Sequence, residues 1–210
     1  IRVATWNIAG GHRSVQAPTA FSAFDQRSKV TGEVLRWEGA FGCYFVALQE
    51  CEGPEAYAEM LGTYELAGSA EAVATRGCVH LYVRRNMTYE RVDVGRSDPC
   101  VAVRIDCGEG EASAGSLVIA AVHLPVGDCA GKRQRILGHV VGSTGVDAER
   151  VLFVGDMNAK DGEVDDICQQ LKLNQARYSG ASWGVPGNGF YADLPATGRG
   201  LRKDRVLFGK

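Results

Sequence analysis

His80-Leu81-Tyr82-Val83, Val101-Ala102-Val103-Arg104-Ile105 and Leu117-Val118-Ile119-Ala120-Ala121-Val122 are three short apolar runs with no helix-like stretch between them. Runs of this length, rich in Val and Ile and bounded by Gly, Pro, Asp or charged residues, read as buried or half-buried strands. Three in succession resemble an antiparallel meander, and a purely parallel doubly wound sheet fits that pattern poorly.

Outward from this stretch, Val3 to Ile8, Cys43 to Leu48, Val151 to Val154 and Arg205 to Phe208 are further runs of the same kind. Helix-like stretches lie between some of them. Lys29 to Phe41 places Val30, Val34, Leu35 and Trp37 on roughly one face, and Pro54 to Leu61 opens on proline, a favoured first helical residue. Gly131 to Gly142 and Val164 to Leu171 are two more. The pattern predicts an α+β fold, a two-sheet β-sandwich flanked by helices.

With 210 residues and 45% hydrophobic composition, the chain can bury one substantial core, and residues 1–210 read as a single domain. A charged fraction of 23%, with plentiful aromatic and β-branched residues, argues against an intrinsically disordered chain. A net charge of -2 argues against coating nucleic acid by bulk electrostatics. The 7 cysteines show no paired short spacings, so they resemble neither a disulfide framework nor a zinc site. Free thiols point to a reducing compartment, and the expectation is an intracellular protein of the nucleus or cytoplasm. No apolar run is long enough to span a bilayer, and a monomer is the default. The chain stops at Lys210 directly after a strand-like run, so the C-terminal strand is expected to be truncated and the catalytic domain incomplete there.

Polar, metal-capable residues recur at the ends of the apolar runs. Asn7 ends the first, Glu50 follows Val46-Ala47-Leu48-Gln49, and His123 ends Val118 to Val122. Asp156 and Asn158 follow Val151-Leu152-Phe153-Val154-Gly155. Strand ends are where a rigid sheet aims side chains into a common cleft. Carboxylates and amide carbonyls suit a hard cation such as Mg²⁺, which also binds substrate phosphate. Each residue alone has a plainer reading: Asn7 as a turn residue, Glu50 as a solvated acid, His123 as a hydrogen-bonded core histidine. It is their joint position at four strand ends that points to a site.

Thr5-Trp6-Asn7-Ile8, Leu48-Gln49-Glu50, His123-Leu124-Pro125, Gly155-Asp156-Met157-Asn158 and Asp204-Arg205-Val206 stand in the order and approximate spacing of one known family. In these motifs the chain resembles the endonuclease/exonuclease/phosphatase superfamily, whose fold is the DNase I-like four-layer α/β/β/α sandwich. The resemblance implies a Mg²⁺-dependent phosphodiesterase, with Mn²⁺ as the alternative ion, acting on nucleic acid or a nucleic-acid adduct. It makes Glu50 the principal metal ligand, with Asn7 beside it. Asp156 and Asn158 resemble the pair that orients the attacking water, and His123 the histidine that contacts the phosphate. Asp204 resembles the acid that orients a further histidine, expected in a Ser-Asp-His stretch beyond Lys210.

Within the superfamily, the loop Gly155 to Asp161 and the stretch from Ser182 to Phe208 are similar to tyrosyl-DNA phosphodiesterase 2. That likeness implies Lys160 as a phosphate contact and Trp183 as a stacking surface, with Arg133 and Arg135 adding cationic contacts. A small phosphorylated molecule, such as a phosphoinositide or nucleotide, is the alternative substrate. A catalytically inactive interaction domain on the same fold is the alternative to an enzyme.

Overall fold

In the computed structural model, the residues described are 1–8, 23–51, 53, 57, 60, 62–72, 77–95, 99–106, 115–176 and 204–209. Trp37 and Asp204 are described by their backbone alone, and Trp183 lies outside the described residues, as does most of the expected helix at 54–61.

Two sheets are stacked face to face. The smaller contains β1 (Val3–Asn7), β2 (Phe45–Cys51), β4 (Gly77–Arg84) and β3 (Tyr64–Ala72), in the order β1-β2-β4-β3. The larger has the order β5-β6-β7-β8-β10-β9, from β5 (Glu90–Val92), β6 (Cys100–Asp106), β7 (Ser116–His123), β8 (Val151–Asp156), β9 (Leu173–Gln175) and β10 (Asp204–Gly209). Both sheets are mixed: β1 with β2 and β7 with β8 pair in parallel, and the other neighbours pair antiparallel. Helix α1 (Ala23–Phe41) covers the smaller sheet, while α2 (Ala130–Thr144) and α3 (Asp161–Leu171) cover the larger one. The expected helix-flanked two-sheet sandwich is the observed fold.

Alternation along each strand builds three apolar layers. On β2, Phe45 and Ala47, with Leu81 of β4 beside them, face the other sheet, where Val103, Ile119 and Val154 meet them. Val46 and Leu48, on the opposite face, pack with Val30 and Val34 of α1. On β7, Val118, Ala120 and Val122 face Leu137 and Val140 of α2 and Val164 of α3. A strand buried on both faces reads as the continuous apolar runs seen in the sequence. No helix among the described residues is long and apolar enough to cross a membrane.

The expected meander from His80 to Val122 is corrected in one respect. β4 belongs to the smaller sheet, and the chain crosses to the larger one before β5, so the meander is β5-β6-β7. A run of strands in sequence does not say where the chain changes layers. Three strands went unread: β3, Tyr64-Glu65-Leu66-Ala67-Gly68-Ser69-Ala70-Glu71-Ala72, is after Leu66 made of small and acidic residues with little strand preference, and β5 and β9 have three residues each. No disulfide joins the six described cysteines. Burial pushes the Cys51 thiol well above its ordinary range.

One glycine has no substitute. Gly155 on β8 has φ 140°, and a Cβ built there would sit 2.0 Å from the carbonyl oxygen of Val122 on β7. The two strands approach so closely because no side chain stands between them. Gly155→Ala is therefore expected to lose on the order of 3 kcal/mol of stability, read from urea unfolding at unchanged m value. A loss below about 0.5 kcal/mol would show that the close approach imposes no constraint.

Candidate metal centre and active site

The stacking brings four strand ends together. Asn7 ends β1, Glu50 lies one residue from the end of β2, His123 ends β7 and Asp156 ends β8. The parallel pairing of β7 with β8 sets His123 directly beside Asp156. The Asn7 side-chain amide donates to Glu50 Oε1 at 2.9 Å and to Asp156 Oδ2 at 2.8 Å, so one NH₂ group joins a carboxylate of each sheet. His123 Nε2 stands 3.7 Å from Glu50 Oε1 and 3.9 Å from Asp156 Oδ2. All three titratable residues are buried, with Glu50 at 8%, His123 at 1% and Asp156 at 2% exposure.

Strict alternation would not place Glu50 here. Gln49 follows Phe45 and Ala47 on the inter-sheet face, so Glu50 would share the helix side with Val46 and Leu48. Its backbone instead lies in the left-handed region, φ 55°, within a register shift between Leu48 and Cys51 against β4. This bulge turns the carboxylate toward Asn7. The position has no glycine to announce it, and its strain is of the sort found at functional sites. Because residue 50 has positive φ, Glu50→Gly should be about 1 kcal/mol more stable than Glu50→Ala, reversing the usual order in a strand. Equal stabilities in parallel denaturant melts would remove the strain argument.

The loop after β8 is tied to the loop after β7. The backbone N–H of Asn158 donates to Asp156 Oδ1 at 2.8 Å, and its side-chain amide donates to the Leu124 carbonyl at 2.9 Å. Leu124 N–H in turn donates to the Asp156 carbonyl at 2.8 Å. Asn158 itself has φ 46°, a conformation asparagine tolerates. In β10 the backbone of Asp204 lies opposite Asp156.

Three site expectations fare differently. Lys160 is exposed at the N-cap position of α3, and Arg135 is exposed on α2. Arg133 is 3% exposed and turned inward: its guanidinium donates to both oxygens of Glu163, to Pro125 O at 2.7 Å and to Gly127 O at 2.9 Å. That places it as a clamp between α2, α3 and the loop after His123, where a substrate contact was expected. A cation among charged residues on a helix reads as a solvated face, and no local spacing announces a partner thirty residues away. Two residues are given no supporting role by the sequence reading. Glu163 is one, and Arg205 is the other, 3% exposed with Nη2 at 2.6 Å from Asp161 Oδ1. Asp161 and Glu163 sit in the first turn of α3, where carboxylates suit the helix dipole, and each receives a buried arginine.

Carboxylate oxygens of Glu50 and Asp156 and a ring nitrogen of His123 all lie within 4.8 Å of one another, a group able to hold a metal ion. The donor set fits a divalent cation, because two buried carboxylates of like charge converge on one spot. A model of the endonuclease/exonuclease/phosphatase family matches residues 4–210. The chain belongs to that family. Among solved structures, zebrafish (D. rerio) TDP2 complexed with single-strand DNA product is 16% identical, with a TM-score of 0.62 over 97% of this chain and 81% of that one. The endonuclease domain of TRAS1, a telomere-specific non-LTR retrotransposon, is 14% identical, with a TM-score of 0.60 over 86% and 78% of the two chains. A β-hairpin deletion mutant of Staphylococcus aureus beta toxin is 12% identical, with a TM-score of 0.62 over 98% and 85%. At these identities the likenesses show the fold. No curated protein matches the chain.

The Arg133–Glu163 clamp makes its own prediction. Arg133→Met leaves Glu163 without its cation and two carbonyls without donors, and should cost about 3–5 kcal/mol. Removing both charges, in Arg133→Met with Glu163→Met, should recover more than about 1 kcal/mol of that loss. Additive losses in thermal melts would show that the two side chains act independently.

Proposed function

We propose that this protein is a metal-dependent phosphodiesterase that hydrolyses a phosphoester in nucleic acid or a nucleic-acid adduct. The observation that carries the reading is the Asn7 amide spanning Glu50 and Asp156 with the His123 imidazole alongside. Family membership supports phosphoester hydrolysis as the chemistry. A DNA product in the TDP2 structure and the endonuclease activity in the name of the TRAS1 domain support nucleic acid as the substrate.

Glu50 is the principal ligand for Mg²⁺ in this reading, with Asn7 beside it and Mn²⁺ able to substitute. When bound, the ion supplies positive charge against the phosphoryl oxygens in a buried, low-dielectric setting. Asp156 is the general base. Two donated hydrogen bonds, from Asn7 to Oδ2 and from the Asn158 backbone to Oδ1, fix its orientation toward an attacking water. Water adds to phosphorus, its proton passes to Asp156, and the bond to the leaving oxygen breaks. His123 lies within reach of the same phosphate to steady its charge, and Asn158 holds the loop that aims Asp156. Lys160, exposed beside this loop, takes a neighbouring phosphate, and Asp204 and Trp183 keep the roles that the family motifs imply for them.

Steady-state hydrolysis of bis(p-nitrophenyl) phosphate tests this directly. With Mg²⁺ the full-length protein should turn over, and Glu50→Ala and Asp156→Asn in it should each lower kcat/KM by about 10²–10⁴-fold with the fold intact by circular dichroism. Chelator should abolish turnover and added Mg²⁺ restore it. Turnover that persists in chelator, or in Glu50→Ala, overturns the reading.

A further inference from the structure

A cavity of ≈ 580 Å³ lies apart from the metal centre, walled by Ser69 and Glu71 of β3, Arg91 of β5, Asp93 and Val94 after β5, and Val101 of β6. β5 stops at Val92, opposite Ala102, and the cavity lies where the end of β3 and the start of β6 come together beside it. Its position follows from the register. β6 begins at Cys100, which lies opposite Val122, and the next residue of β7 is His123, whose backbone N–H donates to Pro99 O at 3.1 Å. The cavity wall is thus one strand away from a residue of the metal centre, a separation of about 5 Å between neighbouring strands. Its volume falls in the range of small-ligand sites, roughly 300–1,000 Å³.

The side chain of Arg91 reaches from the larger sheet onto the smaller one. A Cβ at Gly68 would stand 2.9 Å from Arg91 Nη2 and 2.7 Å from Val101 Cγ1, so the guanidinium lies over Gly68 of the facing sheet. Among the described residues it makes neither a hydrogen bond nor an ion pair. A planar group with five donors is thereby seated at the cavity with no hydrogen-bond partner among the described residues. The Glu71 and Asp93 carboxylates are acceptors, and Val94 and Val101 are apolar wall between. Two carboxylates beside one guanidinium disfavour a bare inorganic anion. The set suits a ligand that carries acceptors and amino donors beside an apolar face, as a nucleotide does.

We propose that this cavity receives the nucleotide flanking the scissile phosphate, with Arg91 as its anchor, so that the substrate is a nucleic-acid strand. The inference rests on the phosphodiesterase reading above. Two substrates separate the ideas: bis(p-nitrophenyl) phosphate, which has no flanking nucleotide, and a short single-stranded oligodeoxynucleotide, each with Mg²⁺. Arg91 is exposed on an edge strand, so Arg91→Ala and Arg91→Glu should fold. Both should raise KM for the oligonucleotide by about tenfold or more at nearly constant kcat, as expected for one charged hydrogen bond, and leave the small substrate unaffected. An unchanged KM for the oligonucleotide, or equal losses on the two substrates, overturns the proposal. If the wild-type protein hydrolyses neither substrate, the phosphodiesterase reading is what fails. Fluorescence anisotropy of the labelled oligonucleotide then decides the cavity alone: weaker binding by Arg91→Ala supports it, and equal binding overturns it.

Discussion

Two buried carboxylates, Glu50 from the smaller sheet and Asp156 from the larger, share the two hydrogens of one Asn7 amide. Like charges so placed repel across a medium of low dielectric, and a neutral amide offsets only part of that repulsion. The arrangement therefore depends on the stacking of the sheets, which no local hydrogen bond could enforce. Phe45, Ala47 and Leu81 meeting Val103, Ile119 and Val154 supply it. At roughly 1.5–3 kcal/mol for each large apolar side chain buried, this layer holds the carboxylates together against their repulsion. A divalent cation between them would offset that repulsion, so the geometry is complementary to a metal ion.

Around that centre, the backbone and the buried arginines restrict what can move. Glu50 keeps its left-handed conformation because pairing on both sides of the bulge leaves it no alternative. Gly155 brings β8 against β7 and so sets Asp156 beside His123. Beyond Asp156, the loop runs to α3, whose first turn is held by Arg133 through Glu163 and by Arg205 through Asp161. The polar residues of the centre thus sit on strand ends and on a loop fixed at both of its ends, the usual support for a preorganised site.

Much of this was legible in the sequence, for physical reasons. Strands buried on both faces are apolar throughout, so β2, β7 and β8 announced themselves, and the polar residues at their ends stood out by contrast. That is how Asn7, Glu50, His123 and Asp156 could be read as a set before their distances were known. What stayed hidden depends on three-dimensional partners. β3 has the composition of a loop and is a strand because β4 pairs with it. Arg133 has the local context of a solvated cation, and its partner Glu163 is known only once α2 and α3 are packed. The turn of Glu50 out of its strand's alternation leaves no mark in residue type.

The central claim is that the shared amide and its two carboxylates form a cation site, and anomalous diffraction from a crystal soaked in Mn²⁺ tests it most directly. The account predicts one strong Mn²⁺ peak within about 2.0–2.2 Å of a Glu50 carboxylate oxygen, lost in Glu50→Ala crystals. Ordered density for Glu50, Asp156 and Asn7 with no Mn²⁺ between them, at millimolar ion, would contradict it.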